Sequence, residues 1–180
     1  MVYADVPTSY SIEGVPLIDQ GNKKWCGVGC VVMLLQFWRV DVSLDEAGLE
    51  IDPENDGCYT YELVNYLERY EFQIYEFNSL SEVKEWLSKG HPVIVLTWTD
   101  ETKNTGHYRL ITGYDEVFIY VNDPHGFTDK FTYEEFLVLW SKYNQYSLTI
   151  SPLMSFINDP LNHNKTINSG GVIKPCVEVK

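Results

Sequence analysis

The chain is organised around residues 19–33, which read Asp19-Gln20-Gly21-Asn22-Lys23-Lys24-Trp25-Cys26-Gly27-Val28-Gly29-Cys30-Val31-Val32-Met33. A polar loop leads into an apolar run, residues 28–38, that is long enough for a buried helix. Cys26 lies where loop and helix meet, and the positive end of a helix dipole favours thiolate over thiol. Gln20, six residues earlier, offers an uncharged side-chain donor. A nucleophile at a helix start, with a donor in the loop before it, predicts acyl-transfer chemistry.

Size and charge restrict the class of function. The 180 residues predict one folded domain with a sizeable core, and 13 Tyr with 5 Trp argue against disorder for most of the chain. The formal charge of −13, from 13 basic and 26 acidic residues, argues against nucleic acid and anionic membranes as partners. A neutral or cationic peptide substrate is compatible with this charge.

The N-terminus and the cysteines predict a cytoplasmic protein. No apolar run is long enough to span a bilayer, and the first residues lack the basic region and apolar stretch of a secretory signal. The four cysteines, Cys26, Cys30, Cys58 and Cys176, form no disulfide-rich pattern and are expected to be reduced. Cys30 lies one turn inside the apolar run and is expected to be a small buried hydrophobe. A metal site at Cys26 and Cys30 is the alternative, but the spacing is poor for zinc.

Local patterns predict helices first and mostly strands afterwards. Capping boxes at Ser43, Ser79 and Thr132, each with Glu three residues later, predict helix starts, and Thr60 is expected to cap another helix. Strands are predicted at 72–77, 92–98, 108–114, 117–122 and 146–150, with a polar loop at 99–106.

This order is typical of a segregated α+β domain and not of a repeating βαβ fold. We expect an irregular lead-in over residues 1–13 and a single domain over residues 14–150. Residues 151–180, which are rich in Asn, Pro and Gly, are expected to form a C-terminal extension or tail.

The strand-rich half supplies a base and an orienting group. His107 lies where the 99–106 loop enters a predicted strand, and Asp123 follows the end of the next strand. Strands joined by a tight turn run antiparallel, so the start of the first lies beside the end of the second. Asp123 is therefore expected to fix the tautomer of His107 and to leave the other ring nitrogen for a thiol. A structural histidine and an ordinary Asp-Pro-x-Gly turn are the alternatives.

These residues resemble the papain-like cysteine peptidases that process double-glycine leader peptides of bacteriocins, together with related stand-alone domains. The resemblance covers about residues 14–150 with order and spacing kept. It rests on the segment from Val15 to Cys30, the helix entry at Val42–Glu46, the strand at Gly90–Val95, the strand at Gly106–Asp115, the strand end at Val121–Gly126 and the closing helix at 136–140.

The resemblance implies a papain-like cysteine protease fold, in which a buried helix that begins at the cysteine packs on a mainly antiparallel sheet. Cys26 would be the nucleophile, His107 the base and acid, Asp123 the orienting group, and Gln20 a donor to the oxyanion. No metal or cofactor is implied. The substrate would be a peptide or protein, cleaved after Gly-Gly or small residues.

Two positions depart from the family pattern. Gly29 stands where Ala or Ser is usual, and it is expected to weaken the helix by about 1 kcal/mol relative to Ala. Arg109 stands where an apolar residue is usual, and its charge is expected to reach water or an acidic group. Membrane and ATPase segments of transporter-linked members do not accompany the domain, so a free-standing enzyme is expected, with its oligomeric state left open.

Other functions use the same residues. An acyl-enzyme on Cys26 is shared by amide or isopeptide hydrolases and by acyl transferases. A non-catalytic, papain-like peptide-binding module is a further alternative, although a binding module needs none of the four site residues. In the tail, Gly170-Gly171 is a pair of the kind such enzymes cut, and a flexible turn is the alternative interpretation.

Overall fold

The computed structural model describes residues 6–100 and 103–153. Its helices are α1 (Cys26–Phe37), α2 (Leu44–Ile51), α3 (Thr60–Leu67), α4 (Leu80–Ser88) and α5 (Tyr133–Trp140), and a 3₁₀ turn follows at Ser141–Tyr143. Its strands are β1 (Tyr10–Ser11), β2 (Phe72–Phe77), β3 (Val93–Asp100), β4 (Lys103–Tyr114), β5 (Phe118–Asp123), β6 (Phe127–Thr132) and β7 (Ser147–Pro152).

The strands form one antiparallel sheet in the order β2-β7-β3-β4-β5-β6, and β1 pairs with β4. Neighbouring residues of β3 enter different hydrophobic clusters: Ile94 packs with α1, α2 and α3, whereas Val95 packs with α4 and α5. Alternation along a strand therefore gives the sheet two covered faces. The predicted α+β fold with a cysteine helix on an antiparallel sheet is confirmed.

Helix α1 lies at the centre of the larger cluster. Its residues from Gly27 to Leu35 are buried, and it packs on β4 and against α2 and α3. A helix that is apolar all round has no face for water and forms only inside a core. This burial fixes the start of α1, and therefore Cys26, against the sheet.

The polar loop predicted at 99–106 is wrong. Strand β3 continues to Asp100 and β4 begins at Lys103, so His107 lies inside a strand and not at its start. The Thr99 hydroxyl donates to the Thr105 carbonyl across this hairpin at 3.1 Å. Polar residues in the sequence therefore did not exclude strand pairing here.

Three smaller features differ from the sequence predictions. Tyr10 and Ser11, expected to be irregular, pair with β4. Tyr59, not Thr60, stands at the N-cap of α3, and its N–H donates to the Glu62 carboxylate at 2.7 Å. Strand β6 was not predicted because it is an exposed edge strand with Asp and Lys among its residues, a composition that discourages pairing with other chains.

Within the described chain, none of the helices combines the length and apolarity needed to cross a membrane.

Candidate active site

Cys26 is the first residue of α1, and the turn before it is anchored in the core. Trp25 is only 3% exposed and its indole N–H donates to the Asp52 carbonyl at 3.0 Å. A Cβ on Gly48 of α2 would lie 2.3 Å from the Trp25 ring, so the two elements touch without a gap. The packing of Trp25 thus holds the helix start, and the thiol that follows it, in one place.

Two opposing effects act on the Cys26 thiol. Burial raises its pKa and the charge of Asp123 acts in the same direction, whereas hydrogen bonding to the backbone of Tyr108 and Gly27 lowers it. Burial outweighs the helix start, which the sequence predicted to favour thiolate. The contact with Tyr108 places the sulfur beside the residue that follows His107.

His107 and Asp123 are in direct contact, as the antiparallel pairing predicts. Nε2 of His107 lies 2.9 Å from Oδ2 of Asp123, and both side chains are buried. The pairing of Leu110 with Asn122 puts Asp123 opposite Arg109, so His107 reaches it diagonally. A carboxylate accepts hydrogen bonds, so Nε2 carries the proton and Nδ1 remains as the basic nitrogen.

The Asp123 carboxylate accepts from four N–H groups. Oδ2 receives Nε2 of His107 and, at 3.2 Å, Nε of Arg109. Oδ1 receives the backbone N–H of His125 at 3.0 Å and its Nδ1–H at 2.7 Å. Burial acts to raise the pKa of Asp123, but hydrogen bonds from His107 and His125 hold it well below its usual range. The carboxylate is therefore a fixed anion at neutral pH.

The pKa of His107 is lowered. Burial is the main cause, and the charges of Arg109 and His125 act in the same direction, while the bond to Asp123 opposes them. No hydrogen bond joins the side chains of Cys26 and His107 in the described structure. Such contacts are often long before substrate binds. At rest the two groups are thus a neutral thiol and a neutral imidazole.

Gln20 is buried beside the turn that follows Asp123. Its backbone N–H donates to the Pro124 carbonyl at 2.7 Å. The backbones of Asp19 and His125 pair in an isolated antiparallel β-bridge. One side-chain N–H of Gln20 donates to the Lys23 carbonyl at 2.7 Å, which leaves the second for an acceptor in the site. Its Oε1 is buried and unpaired among the described groups. The loop that carries Gln20 is therefore docked on the strand end that carries Asp123.

The surroundings of Gly29 explain why glycine stands there, which is one of the two departures from the family pattern. A Cβ at Gly29 would come within 2.9 Å of Cβ of Pro124, the residue after Asp123. Helix α1 therefore approaches the Asp123 turn closely at this point, and glycine is the residue that permits the approach.

Arg109 is the second departure from the family pattern. Its charge was expected to reach either water or an acidic group, and it reaches an acidic group. That group is Asp123, and the guanidinium is buried with it. The contacts of His125 with this site were not predicted from the sequence; its ring centroid lies 4.9 Å from that of His107. The Asp-x-His pattern of an Asx turn was the available signal.

The other thiols described are poor nucleophiles. Cys30 is fully buried, as predicted, and burial raises its pKa well above the ordinary value. Burial, aided by the charge of Cys26, raises the pKa of Cys58 to about 12. Cys176 and the Gly170-Gly171 pair lie outside the described residues.

A metal ion could in principle bind the cluster formed by His107, Asp123 and His125, whose ligand atoms lie within 4.8 Å of one another. Electrostatics oppose this binding, because the Asp123 oxygens already accept four N–H groups and Arg109 places a positive charge beside them. The arrangement fits a proton-transfer site better than a metal centre.

A helix that begins at a cysteine, packed on an antiparallel sheet that carries a His–Asp pair, defines a papain-like cysteine peptidase. The sequence profile of the Peptidase_C39 like family matches residues 12–148, and the chain belongs to this family of cysteine peptidases.

Solved structures share the fold. A protein from Bacillus anthracis described as a C39-like peptidase has a TM-score of 0.68 at 18% identity, over 81% of this chain and 98% of its own. A double glycine motif protease from an AMS/PCAT transporter, solved with its leader peptide, has a TM-score of 0.64 at 20% identity, over 80% and 99%. A Carica candamarcensis cysteine protease in complex with E-64 has a TM-score of 0.60 at 12% identity, over 81% and 99%. A search of curated protein sequences gave no match.

Proposed function

We propose that this peptidase cleaves peptide bonds through an acyl-enzyme on Cys26, with His107 as base and acid, Asp123 as orienting group and Gln20 as an oxyanion donor. The observation that carries the proposal is the His107–Asp123 hydrogen bond at 2.9 Å. It leaves Nδ1 of His107 as the basic nitrogen. The backbone of Tyr108, the next residue in the chain, contacts the Cys26 thiol.

The reaction begins with neutral groups. As the Cys26 sulfur attacks the carbonyl carbon, its proton passes to Nδ1 of His107, and the C=O electrons move onto oxygen. The backbone N–H of Cys26 and the free side-chain N–H of Gln20 stabilise that oxyanion; losing one such donor typically costs about 3 kcal/mol.

The second half returns the proton. The His107 imidazolium protonates the leaving amine as the carbon–nitrogen bond breaks, which leaves a thioester on Cys26. Water then attacks the thioester with His107 as base, and the acid product departs while sulfur regains the proton. Asp123 keeps the imidazole oriented through both steps and stays ionised.

We propose a peptide or protein as the substrate, cut after Gly-Gly or small residues. Support comes from the similar double glycine motif protease, which was solved with its leader peptide. The net charge of −13 favours neutral or cationic peptides over acidic ones.

A peptide-library cleavage profile tests the proposal. Cys26→Ala should abolish cleavage because the nucleophile is gone, whereas Cys30→Ala should keep it, since Cys30 is buried filler. Circular dichroism of both variants checks that they fold. Equal residual cleavage in the two variants contradicts the assignment of Cys26.

The same assay separates hydrolysis from acyl transfer. Both pass through the thioester on Cys26, so the enzyme is given cleavable peptides with and without an added primary amine, and products are identified by mass. Free acid as the main product in both cases supports the peptidase. An amide of the added amine as the main product indicates an acyl transferase.

A further inference from the structure

Arg109 is a buried cation that uses four of its five N–H donors among the described residues. Its side chain donates from Nη1 to the Thr97 hydroxyl and to the Trp98 carbonyl at 3.1 Å. Nη2 donates to the Thr99 carbonyl at 3.0 Å, and Nε donates to Oδ2 of Asp123 at 3.2 Å. Arg109 is only 6% exposed. Moving a charge out of water is costly unless the charge is paired and hydrogen-bonded, so these four hydrogen bonds and the ion pair with Asp123 stabilise the buried guanidinium.

The network ends at His107 by two routes. Through Asp123, Arg109 and His107 share one oxygen, Oδ2. Through Thr97, the hydroxyl that accepts from Arg109 donates in turn to the backbone carbonyl of His107 at 3.1 Å. Pairing of β3 with β4 is irregular between Trp98 and Asp100, next to the two carbonyls that Arg109 binds. Arg109 therefore fixes the end of β3, the carboxylate and the His107 backbone together.

We propose that Arg109 is a positioning residue for the site, a role that rests on the proposed function: it holds Asp123 in place and makes the His107 imidazolium readier to release its proton to the leaving amine.

The physical reason lies in the shared oxygen. A carboxylate oxygen that already receives a guanidinium N–H stabilises an imidazolium less than a free oxygen would. The guanidinium charge also repels the positive charge that His107 acquires, and this repulsion is strong where water is excluded. A less stabilised imidazolium is a stronger general acid. The lowered pKa of His107, caused first by burial and then in part by Arg109, agrees in direction.

Other charged groups face the pair. The turn after β5 contributes His125, which is exposed, so water screens its charge. Strand β6 contributes Asp129, whose charge favours the charged form of Arg109. Helix α1 contributes Cys26, and β5 contributes Asp123 itself. Among these groups, Arg109 is the buried positive charge.

The test measures the titration of the His107 ring by NMR in Arg109→Met and Arg109→Lys, with His107→Gln to assign the signal. Arg109→Met keeps the aliphatic stem and removes the charge, so the His107 midpoint should move to higher pH. Arg109→Lys keeps the positive charge but loses the planar set of N–H donors of the guanidinium. The His107 midpoint in this variant should therefore stay near that of the wild type. For the best peptide, kcat should fall about 100-fold in Arg109→Met at unchanged KM, as expected for misplaced groups.

A wild-type midpoint in Arg109→Met, or equal shifts in both variants, overturns the proposal. If Arg109→Met loses its fold by circular dichroism, the wild-type protein decides: the Arg109 Nε resonance should shift at the His107 midpoint, and a constant resonance overturns the proposal. Cys26→Ala keeps the two failures apart. Cleavage by Cys26→Ala contradicts the proposed function. If Cys26→Ala is inactive but the His107 midpoint in Arg109→Met equals that of the wild type, only the role of Arg109 is contradicted.

Discussion

At the scale of single residues, Asp123 is the point on which the site converges. It is 2% exposed and binds two imidazoles and a guanidinium. Replacing one member of a buried ion pair leaves its partner charged and unpaired, which typically costs about 3–5 kcal/mol. The stability of the molecule thus depends on the same contacts as the proposed chemistry.

Asp123→Asn should therefore lower the free energy of unfolding by about 3–5 kcal/mol, since Arg109 loses its counter-ion. The double variant Asp123→Asn with Arg109→Met should lose less than the sum of the single variants, because they share one interaction. Urea unfolding measures all three. Asp45→Asn is the matched control: its side chain is 78% exposed, and it should change stability by less than about 1 kcal/mol. Strict additivity contradicts the coupling.

Gly29 lies where α1 approaches the turn after Asp123. Gly29→Ala should gain about 1 kcal/mol of helix propensity. The new Cβ would meet Pro124 at 2.9 Å, so the turn that carries Asp123 must shift. We expect kcat to fall about tenfold or more while the melting temperature changes little. Activity at the wild-type level with a raised melting temperature would show that Pro124 yields freely.

The sequence identifies the candidate residues of the proposed chemistry, but not all of their contacts. Cys26, Gln20, His107 and Asp123 are recognisable from type, position and the family resemblance, and the contact of His107 with Asp123 follows from antiparallel pairing. The direction of the long Arg109 side chain depends on carbonyl groups of β3 and on a carboxylate of β5. The relative positions of β3, β4 and β5 determine this direction, and local sequence patterns do not predict those positions.

At the scale of elements, the helices are the best predicted parts. The boxes at Ser43 and Thr132 form with both reciprocal hydrogen bonds, and the Ser79 hydroxyl accepts from the Glu82 N–H at the start of α4. Capping is a local interaction, so local sequence encodes it. The end of β3 and the start of β4 were predicted to be a loop because their sequence is polar, whereas strand pairing is a long-range property that local polarity does not reveal.

The contact of α2 with the turn before α1 gives an element-scale prediction. A Cβ on Gly48 would lie 2.3 Å from the Trp25 ring, which is backed by the core. Gly48→Ala should therefore destabilise the protein by about 1–3 kcal/mol through overpacking, despite its better helix propensity. Leu49→Ala, next along α2 and 65% exposed, should cost little. Urea unfolding compares the two, and equal small effects would contradict a tight contact.

At the scale of the whole molecule, the sheet separates two hydrophobic clusters, and His91 lies near both. Its ring centroid is 5.1 Å from that of Trp38 at the end of α1 and 5.1 Å from that of Trp86 on α4. Its Nδ1 lies 3.0 Å from the Ile150 carbonyl on β7. Burial lowers the pKa of His91, as it does for His107. Partial burial of His91 and burial of His107 therefore both favour the neutral imidazole in the folded state.

This arrangement predicts stability that declines as the pH falls. Both histidines have folded pKa values below the unfolded value of about 6.5, so the unfolded chain binds more protons between the two values, and unfolding becomes easier as pH drops through that window. Asp123, whose folded pKa is depressed, adds a further loss below about pH 4. Urea unfolding at about pH 7.5 and about pH 5.5 measures the first loss.

His91→Phe keeps a ring between the two tryptophans but cannot titrate, so the difference in the free energy of unfolding between these pH values should shrink. A wild-type protein equally stable at both pH values, or more stable at the lower one, contradicts lowered pKa values for these two histidines.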